Sequence, residues 1–333
     1  MKRKEIVSLI LLILVIGVGF WQYTNRKYTD KRSRIMLDTI VEISVTSQQK
    51  SIEPIIEKGF ALIEHYEQKF SEYRDSSMVW QINHAEGKPV AIDNEMYELL
   101  QFSERLYKDT EGAFDVSVGA VINKWDFDNK IVPTDAEIAE ALKFVGFDRI
   151  KYTEKEIVVP AGMQLTFGAI AKGYVLDRVA ELLEKEDVVC GYVTTRSSYR
   201  TFGDSVVPMK VGIQHPRNMN DIIAVLRLKN KSIGTSGDYQ QYFEVDNKRY
   251  HHIIDARTGY PVVNTFSVTV VCDNAFEADG LSTALFLMEP RKAVEYIKSW
   301  KDAETIIYYL ENDEIISLKS MGMKRYLDKE YEE

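Results

Sequence analysis

Hydrophobic and polar positions change period several times along the chain, and the changes mark its elements. From Ile6 to Phe20 the apolar run is nearly unbroken, preceded by Lys2, Arg3 and Lys4 and closed by Trp21 and Tyr23, an interfacial aromatic pair. Carried to Tyr23, it makes a helix of roughly 27 Å, just short of the ~30 Å hydrocarbon core of a bilayer. No small-x-small cleavage site and no lipoprotein cysteine follows. The pattern therefore predicts an uncleaved signal anchor over 1–23, a single-pass transmembrane helix that holds an extracytoplasmic body at the cell membrane. A cleaved signal peptide is the alternative. Arg26, Lys27, Lys31, Arg32 and Arg34 then make a basic linker over 24–34, and this charge on the far side runs against the positive-inside rule.

Past the linker the period moves between two and 3.6. Residues 39–45 read as a strand through their β-branched side chains. Ile52, Ile55, Ile56, Phe60 and Ile63 fall at helical spacing behind Ser51 as N-cap, and 95–110 is a second amphipathic helix burying Leu99, Leu100, Phe102, Leu106 and Tyr107. Asp135 caps a helix to 144, and a hairpin pairs 149–152 with 157–159. A strand over 163–167, a small-residue turn at 168–173 and a helix over 174–186 follow. That order is a common anion-binding arrangement, because the first N–H groups of the helix point outward unsatisfied.

From Gly191 on, strands dominate, at 192–195, 210–214, 222–228, 242–245, 250–254 and 266–271. A helix over 275–288, the segment 291–300 and strands at 305–310 and 314–318 close the chain. Helices early and antiparallel-looking strands late make the body, 35–333, an α+β fold with mixed or antiparallel sheets, not a doubly wound parallel one.

Charge sharpens this picture. Residues 1–34 hold eight Lys/Arg against two Asp/Glu, so of the 42 basic and 51 acidic residues the body keeps 34 and 49, a balance of −15. Such a body repels nucleic acid, and a phosphate-bearing ligand needs a local cation, helix N-terminus or metal ion. Two cysteines, Cys190 and Cys272, make no disulfide framework and read as small buried hydrophobes in strands.

Candidate chemistry gathers between Gly234 and Thr283. The adjacent His251 and His252 stand there with Arg257, Asp255 and Asp279 between hydrophobic strands. Asp279 and Thr283 are four apart on the predicted helix and share a face. A carboxylate and a hydroxyl so placed are hard ligands suited to Mg²⁺; the other reading is an aspartate capping its own helix and a threonine bonding backward. His252 has the pKa range to accept a hydroxyl proton and faces away from His251 if the strand is regular; a structural histidine bonded to a carbonyl is the alternative. Lys172 lies in a turn where it meets a phosphate, or is a solvated lysine at a helix start.

Six ordered blocks carry a family likeness. They are Tyr73-Arg74 with Ser77 and Asn83, Gly112 to Gly119, Phe167 to Tyr174 followed by Asp177, Thr235 to Tyr239, His251 to Pro261, and Ala278 to Ala284. Together, over about Met36 to Met288, the chain resembles the ApbE-type FAD:protein FMN transferases. The resemblance implies a two-lobed, T-fold-like α/β body with the site between lobes. It implies Asp279, Thr283 and the Ala169 carbonyl as Mg²⁺ ligands, and FAD contacts at Met36, Tyr73, Ala113, Phe114, Asp115, Thr166, Lys172, Ile254 and Arg257.

It also implies transfer of FMN from FAD to a threonine or serine hydroxyl of an acceptor protein, with AMP released and with His252 and Asp279 in catalytic roles. An FAD pyrophosphatase and a non-catalytic, membrane-tethered flavin-binding protein are the other readings. Two departures stand out. Thr166 replaces a usual aspartate, and Arg196-Ser197-Ser198 replaces a Gly-Gly-polar turn, where arginine resists the left-handed backbone that glycine allows.

Overall fold

The computed structural model describes residues 3–331. Its centre is one antiparallel sheet whose strand order in space is the order along the chain. The strands are β1 (Tyr28–Met36), β2 (Thr39–Ser47), β3 (Cys190–Thr194), β4 (Ser198–Gly203), β5 (Ser232–Gly237), β6 (Thr265–Cys272), β7 (Glu304–Glu311) and β8 (Glu314–Lys319). Every pairing between neighbours is antiparallel, as the α+β reading expects. Long connections between adjacent strands carry everything else.

Helices α2 (Glu53–Phe70), α3 (Ala171–Glu184) and α4 (Ala275–Phe286) cover one face of the sheet. Ile56 and Phe60 of α2, Val179 and Leu183 of α3, and Leu281 and Leu285 of α4 share one buried core with Ile43, Val193, Val268 and Val270 of the sheet. A three-stranded sheet of Met209–Gln214, Ile222–Leu228 and Leu327–Glu330 covers the other face, where Leu226 and Leu228 pack with Val271 and Ile306. Val270 and Val271 thus enter opposite cores, as the period of two requires. With both faces covered, β6 is buried at every position. A third cluster, with Trp125, Ile138, Phe243 and Ile254, packs the hairpin of Tyr242–Val245 and Lys248–His251 against the helices at Gly119–Ile122 and Asp135–Leu142.

Several expectations need correction. The basic linker at 24–34 is mostly strand: β1 pairs with β2 from Tyr28↔Ser47 to Met36↔Thr39. Its charges are spent locally, Arg32 on Glu53 and Arg34 on Glu57, each at 2.7 Å, and Arg34 also lies over the Phe60 ring. Residues 163–167 make no ladder beyond a single bridge of Gln164 to Val118, and α3 begins three residues earlier than expected, which puts Lys172 and Gly173 inside its first turn. Thr134, not Asp135, caps its helix, closing a capping box with Glu137. Ser51 caps nothing, since Ile52 holds the N-cap position without a side-chain bond. Strands β1, β4 and β5 were not anticipated.

The apolar N-terminal stretch forms α1 (Arg3–Thr24), and its described residues from Ile10 to Phe20 are exposed. Among the described residues, no helix is long and apolar enough to cross a membrane. The transmembrane anchor expected over 1–23 is therefore not supported; residues 1 and 2 and the side chains at 3, 5–7, 9 and 22 lie outside the described set.

Candidate functional site

Two helices and a strand meet at Asp279. Helix α4 lies so close to its neighbours that a Cβ on Gly173 would stand 2.1 Å from the Ala275 carbonyl, and one on Gly234 would stand 2.2 Å from that of Ala278. Only glycine allows these approaches. Asp177 of α3 fixes the start of α4 from outside. Its carboxylate accepts the N–H groups of Ala275 and Phe276 at 2.9 and 2.8 Å and faces Arg200. Burial still pushes its pKa up, to about 6.

The Asp279 side chain is 5% exposed and points into that junction. One oxygen accepts the Gly173 N–H at 2.8 Å, the other the Ser198 hydroxyl at 2.7 Å. Burial raises its pKa, opposed by the charge of Lys172 and by those two donors. Thr283, half-buried one turn on, bonds the Ser236 hydroxyl at 2.9 Å. Ala169 sits two residues before α3, and Lys172 folds back to donate to the Gly168 carbonyl at 2.6 Å. Among the described residues no three His, Cys, Asp or Glu side chains cluster as a metal site. The donor set at hand is one carboxylate with neutral oxygens.

The histidines divide as the alternation predicts. His251 is buried, its Nε2 donating to the Val262 carbonyl at 2.7 Å while Nδ1 accepts the Ile253 N–H. The chain leaves the strand at His251, and His252 turns the other way, with Nδ1 3.2 Å from the Gln241 carbonyl. A carbonyl can only accept, so Nδ1 carries the proton and Nε2 keeps its lone pair. Burial lowers the His252 pKa to about 4, and the neighbouring His251 ring and the charge of Lys172 act in the same direction.

The expected flavin contacts are less uniform. Met36 lies at the β1–β2 turn, packed against the main core, and Tyr73 is 84% exposed and open to a ring. Phe114 is core, 3% exposed. Asp115 is also turned inward, its oxygens accepting the backbone and hydroxyl of Ser117 and the N–H of Phe147. The Ala113 carbonyl accepts the Ala256 N–H at 3.1 Å and so joins the 112–115 loop to the segment carrying Ile254. Ile254 is buried. Arg257 is exposed, clamps Asp255, and opens onto a separate cleft of about 510 Å³ that none of Asp279, Lys172 or His252 lines. Thr166, half-buried, donates its backbone N–H to Val116, and burial raises the pKa of Glu72 against the opposing effect of the Thr166 hydroxyl.

Ser198, Ser236, Glu72 and the capping role of Asp177 were missed. Asp177 was visible in a motif, whereas a serine in a strand has no spacing signal. The Arg196 turn needs no glycine: Arg196 keeps a negative φ and is exposed, and the Thr195 hydroxyl accepts the Ser198 N–H at 3.0 Å.

Fold and site together define a class: an α+β protein with a buried carboxylate and neighbouring serine and threonine hydroxyls beside the start of α3. The chain belongs to the ApbE family, whose model matches residues 37–307. It is 31% identical over 301 residues to the FAD:protein FMN transferase of Klebsiella pneumoniae (strain 342), covering 88% of this chain and 92% of that one. To the FAD:protein FMN transferase of Haemophilus influenzae it is 33% identical over 285 residues, covering 81% and 82%. The crystal structure of the ApbE protein of Thermotoga maritima superposes with a TM-score of 0.84 at 32% identity, over 91% of this chain and all of that one. The flavin transferase ApbE from Vibrio cholerae gives 0.81 at 25% identity, over 91% and 100%.

Proposed function

We propose that this chain is a flavin transferase that moves FMN from FAD to a threonine or serine hydroxyl of an acceptor protein. The observation that carries the reading is Asp279, a buried carboxylate held by Gly173 and Ser198 beside Thr283 and the start of α3.

Asp279, the Thr283 hydroxyl and the Ala169 carbonyl would hold Mg²⁺. Three hard oxygens with one formal charge fit an ion that takes its remaining ligands from water and phosphate, and a carboxylate whose burial disfavours its charge gains from a cation. When bound, the ion neutralises charge on the pyrophosphate and the leaving group. His252 Nε2 takes the acceptor's hydroxyl proton while Gln241 holds the ring. The acceptor oxygen bonds to the phosphorus of the FMN half. The bond from that phosphorus to the bridging oxygen breaks, and AMP leaves with that oxygen. Lys172 adds positive charge at the helix start, and Tyr73 offers a face to the flavin ring.

Because His252 titrates near 4, it is neutral through the physiological range. With saturating metal, AMP formation is expected to stay flat from pH 8 to about 5 and to fall toward pH 4. An acid limb centred near 6.5 would remove His252 as the base.

The deciding experiment incubates the purified body with FAD and Mg²⁺, with and without an acceptor protein, following AMP by chromatography and acceptor mass by spectrometry. Acceptor-dependent AMP and an added FMN mass support transfer. AMP without acceptor marks a pyrophosphatase, and bound but unconsumed FAD marks a carrier. Placement at the cell membrane with an extracytoplasmic body is a further part of the proposal, motivated by the sequence alone, in which an apolar run from Ile6 to Phe20 follows Lys2, Arg3 and Lys4; recovery of the full chain in the soluble fraction would refute it.

A further inference from the structure

We propose that Ser236 is a positioning residue for the cation site: it draws the Thr283 hydroxyl proton away so that the oxygen lone pairs of Thr283 face the metal. The inference rests on the metal reading given above.

Four polar groups form a chain whose direction is fixed at one end. Ser282 Oγ lies 2.8 Å from the backbone carbonyl of Asp279, and a carbonyl accepts only, so the Ser282 proton is committed there. Ser236 Oγ lies 2.9 Å from Ser282 Oγ. With the Ser282 proton used, Ser236 must donate in that bond. Ser236 Oγ also lies 2.9 Å from Thr283 Oγ1. Having given its own proton to Ser282, Ser236 accepts there, and Thr283 must donate. The order is Thr283 to Ser236 to Ser282 to the Asp279 carbonyl, and each hydroxyl has one rotor state that satisfies it.

The consequence falls on Thr283. A hydroxyl free to rotate presents a proton to a cation part of the time; one held by Ser236 presents lone pairs. Ser236 is 6% exposed on β5, a central strand, so its own side chain has little freedom. Gly234, two residues earlier, lets β5 reach α4 closely enough for the contact. The same carboxylate residue is thus held at both ends, its backbone carbonyl by this relay and its side chain by Gly173 and Ser198. Partners of this kind that orient a ligand are worth about 10–100-fold in metal affinity.

The test is Mn²⁺ binding followed by electron paramagnetic resonance on the nucleotide-free body, for wild type, Ser236→Ala, Thr283→Val and the double variant, with thermal melting of each metal-free protein. Ser236→Ala is expected to weaken Mn²⁺ binding about tenfold while the metal-free melting temperature stays close to wild type. In the double variant it adds nothing to Thr283→Val, because its effect passes through Thr283. Ser236→Thr, which keeps the hydroxyl, should restore most of the affinity. Affinity of Ser236→Ala within twofold of wild type overturns the proposal, as does full additivity in the double variant. Absence of Mn²⁺ binding by the wild type would instead sink the metal reading itself.

Discussion

At the scale of single residues, Asp279 carries most of the argument, and its burial has two opposite consequences. Ionised, it is costly in the metal-free fold; paired with a cation, it is the site's main charge. Asp279→Ala should therefore lower AMP release on the order of 10²–10³-fold with the circular dichroism spectrum unchanged. Near-wild-type turnover at limiting Mg²⁺ would remove Asp279 from the site. The sign of its linkage is also fixed. A carboxyl with its pKa raised in the fold loses stability as pH rises from the unfolded value to the folded one. Metal-free Asp279→Asn should then melt above wild type at pH 7, and a lower melting point would mean the ionised form is the better satisfied.

Arg196 makes the contrary case: it looked like a break in the site, yet its turn is closed by Thr195 and Ser198, and its side chain is exposed. Arg196→Gly is expected to leave FAD affinity within about twofold by fluorescence titration, and a loss of ~1–3 kcal/mol would place its guanidinium on a ligand phosphate. Asp279, Thr283 and His252 stand in sequence motifs, and the helix and strand periods add only which side chains share a face. The contacts of Ser198 and Ser236 were not legible, since their partners lie 81 and 47 residues away along the chain.

At the scale of elements, the site is a contact between α3 and α4, and its precision depends on how closely they approach. Motif matching found Lys172 and Gly173 but placed them in a loop, because Gly-Ala-Ile-Ala-Lys-Gly reads locally as a turn. In the fold, Gly173 serves α4, not a turn: its N–H reaches Asp279, and its missing side chain leaves room for the Ala275 carbonyl. A Cβ there meets backbone and not the end of a flexible side chain, so α4 itself must shift. Gly173→Ala is expected to cost about 1–3 kcal/mol of stability in urea denaturation. Unlike an ordinary helix glycine, it should show none of the gain from better helix propensity. It should also weaken metal binding, since Asp279 and Thr283 ride on the displaced helix. A variant as stable as wild type would mean the two helices are free to move apart.

At the scale of the whole molecule, the antiparallel class was readable from strands crowded after Gly191, but the edge of the sheet was not. Residues 28–36 carry alternating charge and little apolar bulk, and as an edge strand β1 needs neither, because only one side of its backbone is paired and its arginines are neutralised by α2. This changes where the chain can be cut. Removing residues 1–24 takes away α1, whose described residues belong to no buried cluster, and should leave stability and FAD turnover of the body unchanged. Removing residues 1–32 takes half of β1 with it, including Tyr28, which packs on the core, and the Arg32–Glu53 pair. Exposed ion pairs are each worth about 0–1 kcal/mol, so most of the loss comes from uncovering β2, and about 2–4 kcal/mol is the expected total. The two truncates should thus melt several degrees apart, and since the β1–β2 turn also carries Met36, the longer deletion should weaken FAD binding as well. Equal melting temperatures would show that the β1 pairing contributes nothing to the fold, and a destabilised shorter deletion would show that α1 packs on the body after all.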